Sequence, residues 1–386
     1  MTEYALTLET LERLVGFDTV SAKPNAGIIA YIEGFLTTRG GRCVRIPAKA
    51  DGKLGLYAEI GPQGGAGILL SGHTDVVPTE GQNWTRNPFA LACEGDRFYG
   101  RGTTDMKGYL ACMLTAADLA AKAPMNEPLK LIFSYDEEVG CVGIQEMMNH
   151  VPALIGTPRA CFIGEPTEMQ VAIGHKGKAA LEAVCTGQAG HSSLAPQFVN
   201  ALHLATDMIA GLRDIQDHFA HHGARDVAYD IPFSTVHVGK MSGGTALNIV
   251  PDSASLTFEY RHLAADAPDD IMVQIIAKAS EIENRYRASD QDVGIEINRY
   301  NAYPGLDVQE GSPAAQLAQR LTHSNQTTKV AFGTEAGFFD ALGISTIVCG
   351  PGSMAGQGHK ADEYIELSQL AACDRMLSGV IKELCT

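Results

Sequence analysis

Apolar residues along the chain follow helical spacing in some segments and form short continuous runs in others. Helical spacing predicts helices over residues 10–17 and 28–36, and again over residues 108–123, where Pro124 ends the pattern. Four short apolar runs predict buried strands: residues 56–60, 68–71, 129–135 and 160–163. Strands that alternate with helices are typical of a largely parallel sheet with helices on both faces. The pattern therefore predicts an α/β fold.

The middle of the chain shows a different order of elements. Four strands and two helices are predicted there: strands over residues 179–186, 234–240, 253–260 and 293–299, and helices over residues 200–219 and 269–287. Their order, β-α-β-β-α-β, is that of a ferredoxin-like domain. The α/β pattern then resumes with a helix over residues 312–323 and a strand over residues 346–349. We therefore predict a main domain of residues 1–177 and 300–386, with residues 178–299 inserted as a lid or dimerisation domain.

The composition narrows the class of protein. Among 386 residues, 45% are hydrophobic and the formal net charge is −16, so nucleic acid and anionic membranes are poor partners. The sequence shows neither an export signal nor an apolar run of the ~18 residues that a membrane span needs. We therefore expect a cytoplasmic protein. Nine cysteines without a Cys-x-x-Cys pair predict reduced thiols rather than a disulfide framework.

Polar, chemically reactive residues follow several of the predicted strands. His73 and Asp75 come after the run 68–71, residues 136–138 (Asp-Glu-Glu) after 129–135, and Glu165 after 160–163. Asp105 precedes the helix that begins near residue 108, and His359 follows the strand 346–349 through a glycine-rich loop. In an open parallel sheet, ligands bind beyond the carboxyl ends of the strands, so these side chains are expected to converge.

Two histidines with three or four carboxylates, and no thiolate, match what two divalent cations need. Such a set gives each cation one imidazole and one carboxylate, with one further carboxylate to bridge them. Mixed histidine and carboxylate ligation suits Zn²⁺, with Co²⁺ or Mn²⁺ as substitutes. Each residue alone also has a structural explanation, such as a hydrogen-bonded histidine at a strand end or a solvated acidic corner. Their joint occurrence at strand ends favours the metal site.

These segments together resemble the dinuclear-zinc aminoacylase/carboxypeptidase family. The resemblance rests on residues 72–78 (Gly-His-Thr-Asp-Val-Val-Pro), 102–108 (Gly-Thr-Thr-Asp-Met-Lys-Gly), 136–138, 164–167, 174–177 and 190–193. Residues 332–337, 349–353 and 359–364 are most similar to the acetylornithine deacetylases of that family. The glycine-rich segment 354–358 is one residue longer than in those relatives, which affects the expected loop geometry and substrate.

The resemblance assigns a role to each residue of the predicted site. It implies that His73 and Glu165 hold one cation, and that Glu138 and His359 hold the other. It further implies that Asp105 bridges the two cations. Glu137 would then be the general base, and Asp75 would orient the ring of His73.

The resemblance also implies groups that contact the substrate. His191, in a Gly-His-Ser-Ser segment, would stabilise the oxyanion and would act on the second subunit of a homodimer. Arg261, with Asn248 as a helper, is the candidate for binding an α-carboxylate. Glu335, next to Thr334, is the candidate partner of a side-chain ammonium. Each also has a structural explanation: a strand-end histidine, a surface arginine, or a carboxylate that caps a turn.

The activity that the resemblance implies is metal-dependent hydrolysis of the amide bond of an N-acyl amino acid. N-acetylornithine is the leading substrate, which would place the enzyme in arginine biosynthesis. Alternatives within the same chemistry are N-succinyl-diaminopimelate, acetylcitrulline, another acylamino acid or a dipeptide. Two alternatives of another class are an inactive acylamino acid-binding protein and an amino-acid-sensing regulatory module. The presence of Glu137 and the complete ligand set disfavour the first of these.

Overall fold

A computed structural model describes residues 4–49, 52–286 and 293–386 of the chain. It divides into two compact units: the first comprises Met1–His175 and Leu306–Thr386, and the second comprises Lys176–Gly305. The second unit is therefore inserted within the sequence of the first. Within the described ranges, none of the helices has the length and apolar character that crossing a lipid bilayer would require.

The first stretch of the chain alternates helices with strands. Its helices are α1 (Ala5–Val15), α2 (Ala26–Thr37), α3 (Lys107–Lys122), α4 (Val142–Met147) and α5 (Val151–Ile155). Its strands are β1 (Arg42–Pro47), β2 (Leu54–Ile60), β3 (Ile68–His73), β4 (Ala92–Glu94), β5 (Arg97–Tyr99), β6 (Leu129–Ser134), β7 (Ala160–Pro166) and β8 (Val171–His175). The predicted strands and helices of this stretch are all present.

The inserted stretch begins with β9 (Gly177–Thr186), β10 (Gly190–His191) and a 3-10 helix (Ser192–Gln197). It continues with α6 (Ala201–His222), β11 (Thr235–Gly243), β12 (Ile249–Val250), β13 (Ser253–His262), α7 (Pro268–Tyr286) and β14 (Gly294–Tyr303). The end of the predicted helix at Arg287 lies outside the described residues. Apart from the short β10 and β12, the order of elements is the expected β-α-β-β-α-β.

The last stretch returns to the first unit. It contains β15 (Leu306–Asp307), α8 (Pro313–Thr322), β16 (Thr327–Val330), α9 (Ala336–Asp340), β17 (Thr346–Gly350), β18 (Tyr364–Glu366) and α10 (Leu367–Glu383). Pro313 and Ser312 explain where α8 begins, because Ser312 accepts a hydrogen bond from the backbone N–H of Ala315 and proline suits the first helical turn.

A nine-stranded sheet forms the centre of the first unit, in the order β1-β2-β6-β3-β7-β17-β8-β15, with β16 paired to β8. Its middle strands β6, β3, β7 and β17 run parallel, and all of their residues are buried. Continuous apolar strands of this kind are typical of a parallel sheet covered by helices. The predicted α/β fold is confirmed, and the carboxyl ends of β3, β6, β7 and β17 lie at one edge.

Helix α3 packs closely against the strands that carry the polar residues. It lies against β2, β3, β6 and β7, and its helical neighbours include α1, α2 and α10. Glycine makes the close approach possible at Gly164 in β7, because a Cβ there would lie 2.0 Å from the ring of Tyr109. The glycine before Glu165 therefore brings α3 and the carboxyl end of β7 together.

The second unit has its own sheet and its own core. The four strands follow the order β11-β13-β9-β14 and all pairs are antiparallel. Residues of β13 alternate between buried and partly exposed, which indicates that one face is covered. Helices α6 and α7 supply that cover, and their apolar residues pack with those of the strands, including Met208, Leu256, Phe258 and Ile275.

Candidate metal centre

The carboxyl edge of the parallel sheet brings the predicted ligands of the first unit together. His73 is the last residue of β3, Glu165 lies near the end of β7, and Glu138 follows β6. Asp105 immediately precedes α3, and His359 lies in the loop after β17. Because these strands are parallel neighbours, residues far apart in sequence reach one place at the sheet edge.

Asp105 stands between the two histidines. Its Oδ1 lies 3.1 Å from Nε2 of His73, and its Oδ2 lies 3.1 Å from Nε2 of His359. Glu138 Oε2 lies 3.0 Å from Nε2 of His359, and Glu165 Oε1 lies 3.7 Å from Nε2 of His73. Each histidine is thus beside one carboxylate of its own and shares Asp105 with the other.

The described donor atoms fit divalent cations. Ligand atoms of His73, Asp105 and Glu138 lie within 4.8 Å of one another, and so do those of His73, Glu137 and Glu165. In the described part of the chain, Oε1 of Glu138 and Oε1 of Glu165 are buried without a hydrogen-bond partner. Buried carboxylate oxygens are costly unless they are paired or bind a cation. Two divalent cations, one at each carboxylate, would satisfy both oxygens.

The pKa shifts within the cluster also favour the binding of cations. Burial and the charge of Asp105 raise the pKa of Glu165 well above its ordinary value, and they raise that of Glu138 to about 7. Burial also raises the pKa of Glu137 well above the usual range. Hydrogen bonds to Asp105 and Glu138 raise the pKa of His359 to about 10. These shifts are those of a site with an excess of negative charge, which a cation would relieve.

The pKa values of His73 and Asp105 are shifted in opposite directions by their contact. Burial lowers the pKa of His73, but the hydrogen bonds to Asp105 and Asp75 outweigh it and raise that pKa well above its ordinary value. Burial raises the pKa of Asp105, yet the hydrogen bonds from His359 and His73 prevail and lower it. The contact between the two residues therefore raises the pKa of His73 and lowers that of Asp105.

Asp75 links the ring of His73 to the segment that carries Glu137. The Nδ1 atom of His73 lies 3.0 Å from the backbone carbonyl of Asp75 and 3.5 Å from its Oδ1. The same carboxylate accepts hydrogen bonds from the backbone N–H groups of Glu137 (3.1 Å) and Glu138 (3.3 Å), and from the hydroxyl of Ser21 (2.7 Å). Asp75 thus orients a histidine and also fixes the start of the acidic segment.

Glu137 has a second contact that the sequence did not reveal. The thiol of Cys141 donates a hydrogen bond to Oε1 of Glu137 over 3.2 Å. Cys141 has a φ of 56°, and its N–H and that of Gly140 both donate to the Glu137 carbonyl at 2.8 Å. Burial raises the pKa of the Cys141 thiol well above its usual range, so the thiol keeps the proton that it donates.

Thr334 and Glu335 lie inside the first unit, at 0% and 1% exposure. The Thr334 hydroxyl accepts a hydrogen bond from the backbone N–H of Ala336, and Glu335 Oε2 accepts one from the Ser71 hydroxyl at 3.3 Å. Burial raises the pKa of Glu335 to about 7. Neither side chain offers exposed surface to a substrate, and their predicted role as substrate contacts stays a prediction.

The second unit holds the remaining candidates on exposed or half-exposed positions. His191 is exposed, and its Nδ1 accepts a hydrogen bond from the Ser193 backbone N–H at 3.2 Å. The carbonyl of Asn248 accepts a hydrogen bond from the backbone N–H of Ser192, so these two candidates lie close together. Arg261, on β13, pairs with Glu259 instead (Nε to Oε1, 3.0 Å).

The sequence profile of peptidase family M20/M25/M40 matches residues 69–383. An acetylornithine deacetylase of Pasteurella multocida is 30% identical over 98% of each chain, and one of Aliivibrio fischeri is 31% identical over 89% of this chain and 87% of that protein. Among solved structures, an M20 family metallo-carboxypeptidase from Sulfolobus solfataricus shares the fold over 100% of both chains (TM-score 0.79, 20% identity). The resemblance seen in the sequence motifs is thereby confirmed. The chain belongs to peptidase family M20/M25/M40 and is a metal-dependent amidohydrolase.

Proposed function

We propose that the protein removes the acyl group from an N-acyl amino acid, with N-acetylornithine as the leading substrate and two divalent cations as cofactors. The observation that carries the proposal is the cluster in which the buried Asp105 stands between the buried His73 and the partly exposed His359, with Glu137 beside it. The acetylornithine deacetylases to which the chain is similar support the choice of substrate. Cytoplasmic location and a place in arginine biosynthesis accompany this proposal as predictions.

The geometry supports one division of the ligands. His73 and Glu165 would hold one cation, Glu138 and His359 the other, and Asp105 would contribute one oxygen to each. This division follows the observed pairings, since each histidine already faces its own carboxylate and one oxygen of Asp105. The donor set of imidazole and carboxylate groups favours Zn²⁺, with Co²⁺ or Mn²⁺ as substitutes.

Two divalent cations, when bound, would polarise the amide carbonyl and make a water molecule more acidic. Glu137 would take the proton from the attacking water, whose oxygen adds to the acyl carbon. The C–N bond then breaks, and Glu137 would return the proton to the departing amine, which leaves a carboxylate and a free amino acid. Asp75 would keep both His73 and the Glu137 segment in place during these steps.

The groups of the second unit would recognise the substrate. The guanidinium of Arg261 suits an α-carboxylate, and it would exchange its present partner Glu259 for the substrate. Asn248 would assist, and the exposed imidazole of His191 would stabilise the oxyanion. In the proposed homodimer, His191 of one copy serves the metal centre of the other.

A turnover screen tests the proposal. Enzyme stripped with a chelator is reloaded with Zn²⁺, Co²⁺ or Mn²⁺ and assayed against N-acetylornithine, N-acetylcitrulline, N-succinyl-diaminopimelate and a dipeptide, with metal content measured in each sample. We expect reloading to restore turnover, fastest on N-acetylornithine. Full activity in metal-free protein would overturn the mechanism, whereas turnover of another substrate only would overturn the specificity alone.

A further inference from the structure

Arg101 and Glu363 form a fully buried ion pair next to the metal centre. Their fractional exposures are 0% and 1%, and Nη1 of Arg101 donates to Oε2 of Glu363 over 2.6 Å. Glu363 lies in a segment that carries the family resemblance, and Arg101 immediately precedes another, yet the proposed mechanism gives neither residue a role. Desolvating two charges is expensive, so a buried pair is retained at low cost only where further hydrogen bonds satisfy it.

The second oxygen of Glu363 holds the backbone that leads into Asp105. Its Oε1 accepts hydrogen bonds from the N–H groups of Thr104 at 2.9 Å and of Asp105 at 3.1 Å. A carboxylate bonded to two consecutive N–H groups fixes the direction of the peptide between them. Glu363 therefore fixes the backbone position of Asp105, the residue whose carboxylate contacts both histidines.

The pair also reaches the segment of His359 from two sides. Glu363 itself lies four positions after His359 in the same loop. The other end of Arg101, through Nη2, donates to the side-chain oxygen of Gln82, and Gln82 Nε2 donates to the backbone carbonyl of His359 at 3.1 Å. Trp84 Nε1 donates to the same Gln82 oxygen at 3.1 Å, which fixes the orientation of the amide.

We propose that Arg101 and Glu363 are positioning residues that set Asp105 and His359 at the spacing the metal centre needs. Neither touches the substrate or a cation. Their hydrogen bonds connect three segments: the stretch that follows His73, the stretch that ends in Asp105, and the loop of His359. This inference rests on the ligand roles given under the proposed function.

The experiment measures Zn²⁺ affinity by competition with a chromogenic chelator, together with Zn²⁺ stoichiometry and the thermal unfolding temperature of the metal-free protein. The variant is Glu363→Gln, which keeps the shape but removes the charge that Arg101 needs. Groups behind metal ligands change affinity by about 10- to 100-fold when they are mutated, and we expect a loss in that range. The wild-type stoichiometry is expected to be two.

Asp118→Asn is the matched control. Asp118 is a buried carboxylate of the same unit, near the carboxyl end of α3, and it pairs with Lys122 and, over 2.7 Å, with Arg39, which follows α2. Its loss is expected to lower the unfolding temperature while leaving Zn²⁺ affinity unchanged. Equal Zn²⁺ affinity in wild-type protein and Glu363→Gln would overturn the inference and leave the proposed function intact. Wild-type protein that binds no Zn²⁺ would overturn the proposed function first.

If Glu363→Gln fails to fold, Gln82→Ala provides a second test of the positioning role. This substitution leaves the buried ion pair intact and removes the link from Arg101 to the His359 carbonyl, together with the hydrogen bond that Trp84 donates to Gln82. We expect a smaller loss of Zn²⁺ affinity in the same direction, confined to one of the two cations. Unchanged affinity for both cations in a folded Gln82→Ala protein would contradict the positioning role.

Discussion

The metal centre in the first unit and the candidate substrate groups in the second differ in how they are held. His73, Asp105 and Glu165 are at most 5% exposed, and each lies within a buried set of hydrogen bonds and charges. His191 and Asn248 are exposed. Their described hydrogen bonds lie between the two short neighbouring segments 190–193 and 248–250. Apart from His359, whose side chain is 43% exposed, the metal centre is held by buried contacts, whereas the second region presents free side-chain surface.

This difference reflects the different requirements of cation ligands and of groups that contact a substrate. Cation ligands must keep a fixed spacing. Buried hydrogen bonds maintain that spacing, because moving a ligand away from its partners would leave charged groups unsatisfied. Groups that meet a substrate or a second copy of the chain must keep free surface until that molecule arrives. We therefore predict that substitutions at the metal centre of the first unit change metal content or catalysis, and that substitutions of the candidate substrate groups in the second unit change turnover without affecting the cations.

The largest effect is expected at Glu137. General acid–base groups contribute about 10²- to 10⁴-fold, so Glu137→Gln should lower kcat by about 10³-fold while metal content stays near the wild-type level. Metal content matters because ligand atoms of Glu137 also lie within 4.8 Å of those of His73 and Glu165. Glu138→Gln is the control and should lose metal. If Glu137→Gln lost its metal while Glu138→Gln kept it, the roles of base and ligand would have to be exchanged between the two residues.

The second prediction concerns His191. Removing one donor to an oxyanion costs about 10²- to 10³-fold in kcat, and His191→Ala should fall in that range with both cations retained. Mixing this variant with Glu137→Gln, after dissociation and reassembly, tests whether the histidine acts on the other copy. About half of the dimers would be mixed, each with one competent site, so activity should recover to about a quarter of wild type. No recovery despite verified subunit exchange would contradict the arrangement in trans.

Arg261 should affect binding rather than catalysis. Hydrogen bonds to charged groups contribute roughly 1.5–3 kcal/mol, so Arg261→Ala is expected to raise KM by at least about tenfold with kcat little changed. Glu259→Gln, which removes the present partner of Arg261, serves as the control and should not raise KM. A fall in kcat at constant KM would show that Arg261 does not bind the carboxylate.

The smallest effect is expected at Cys141, whose thiol donates to Glu137. A single hydrogen bond contributes about 1 kcal/mol, so Cys141→Ala should lower kcat about fivefold, and Cys141→Ser should restore much of the loss. Cys185→Ala removes an equally buried thiol from the second unit and should leave kcat unchanged. If Cys141→Ala, Cys141→Ser and Cys185→Ala all had the wild-type kcat, the Cys141 thiol would not position the base.

Much of the fold was readable from the sequence because its signals are local. The apolar runs at 68–71, 129–135 and 160–163 became the fully buried strands β3, β6 and β7. The two-residue strands β10, β12 and β15 escaped prediction, since strands of that length carry no periodicity. Convergence of His73, Asp105 and His359 followed from the rule that ligands bind at the carboxyl edge of a parallel sheet.

The supporting contacts could not be predicted in the same way. Arg101 and Glu363 are 262 positions apart, and nothing in the spacing of either segment indicates that they pair. The bond from Cys141 to Glu137 depends on a positive φ at a residue that is not glycine, which the sequence does not announce. The burial of Glu335 was likewise invisible, because a single carboxylate has no pattern of its own.

Anomalous diffraction from crystals grown with Zn²⁺ tests the central claim most directly. We predict two strong peaks per chain, one between His73 and Glu165 and the other between Glu138 and His359. An oxygen of Asp105 is expected beside each peak. We also predict that the Glu137 side chain is not a principal ligand of either ion. A single peak, or peaks confined to surface histidines such as His218 and His222, would contradict the two-cation centre and the mechanism built on it.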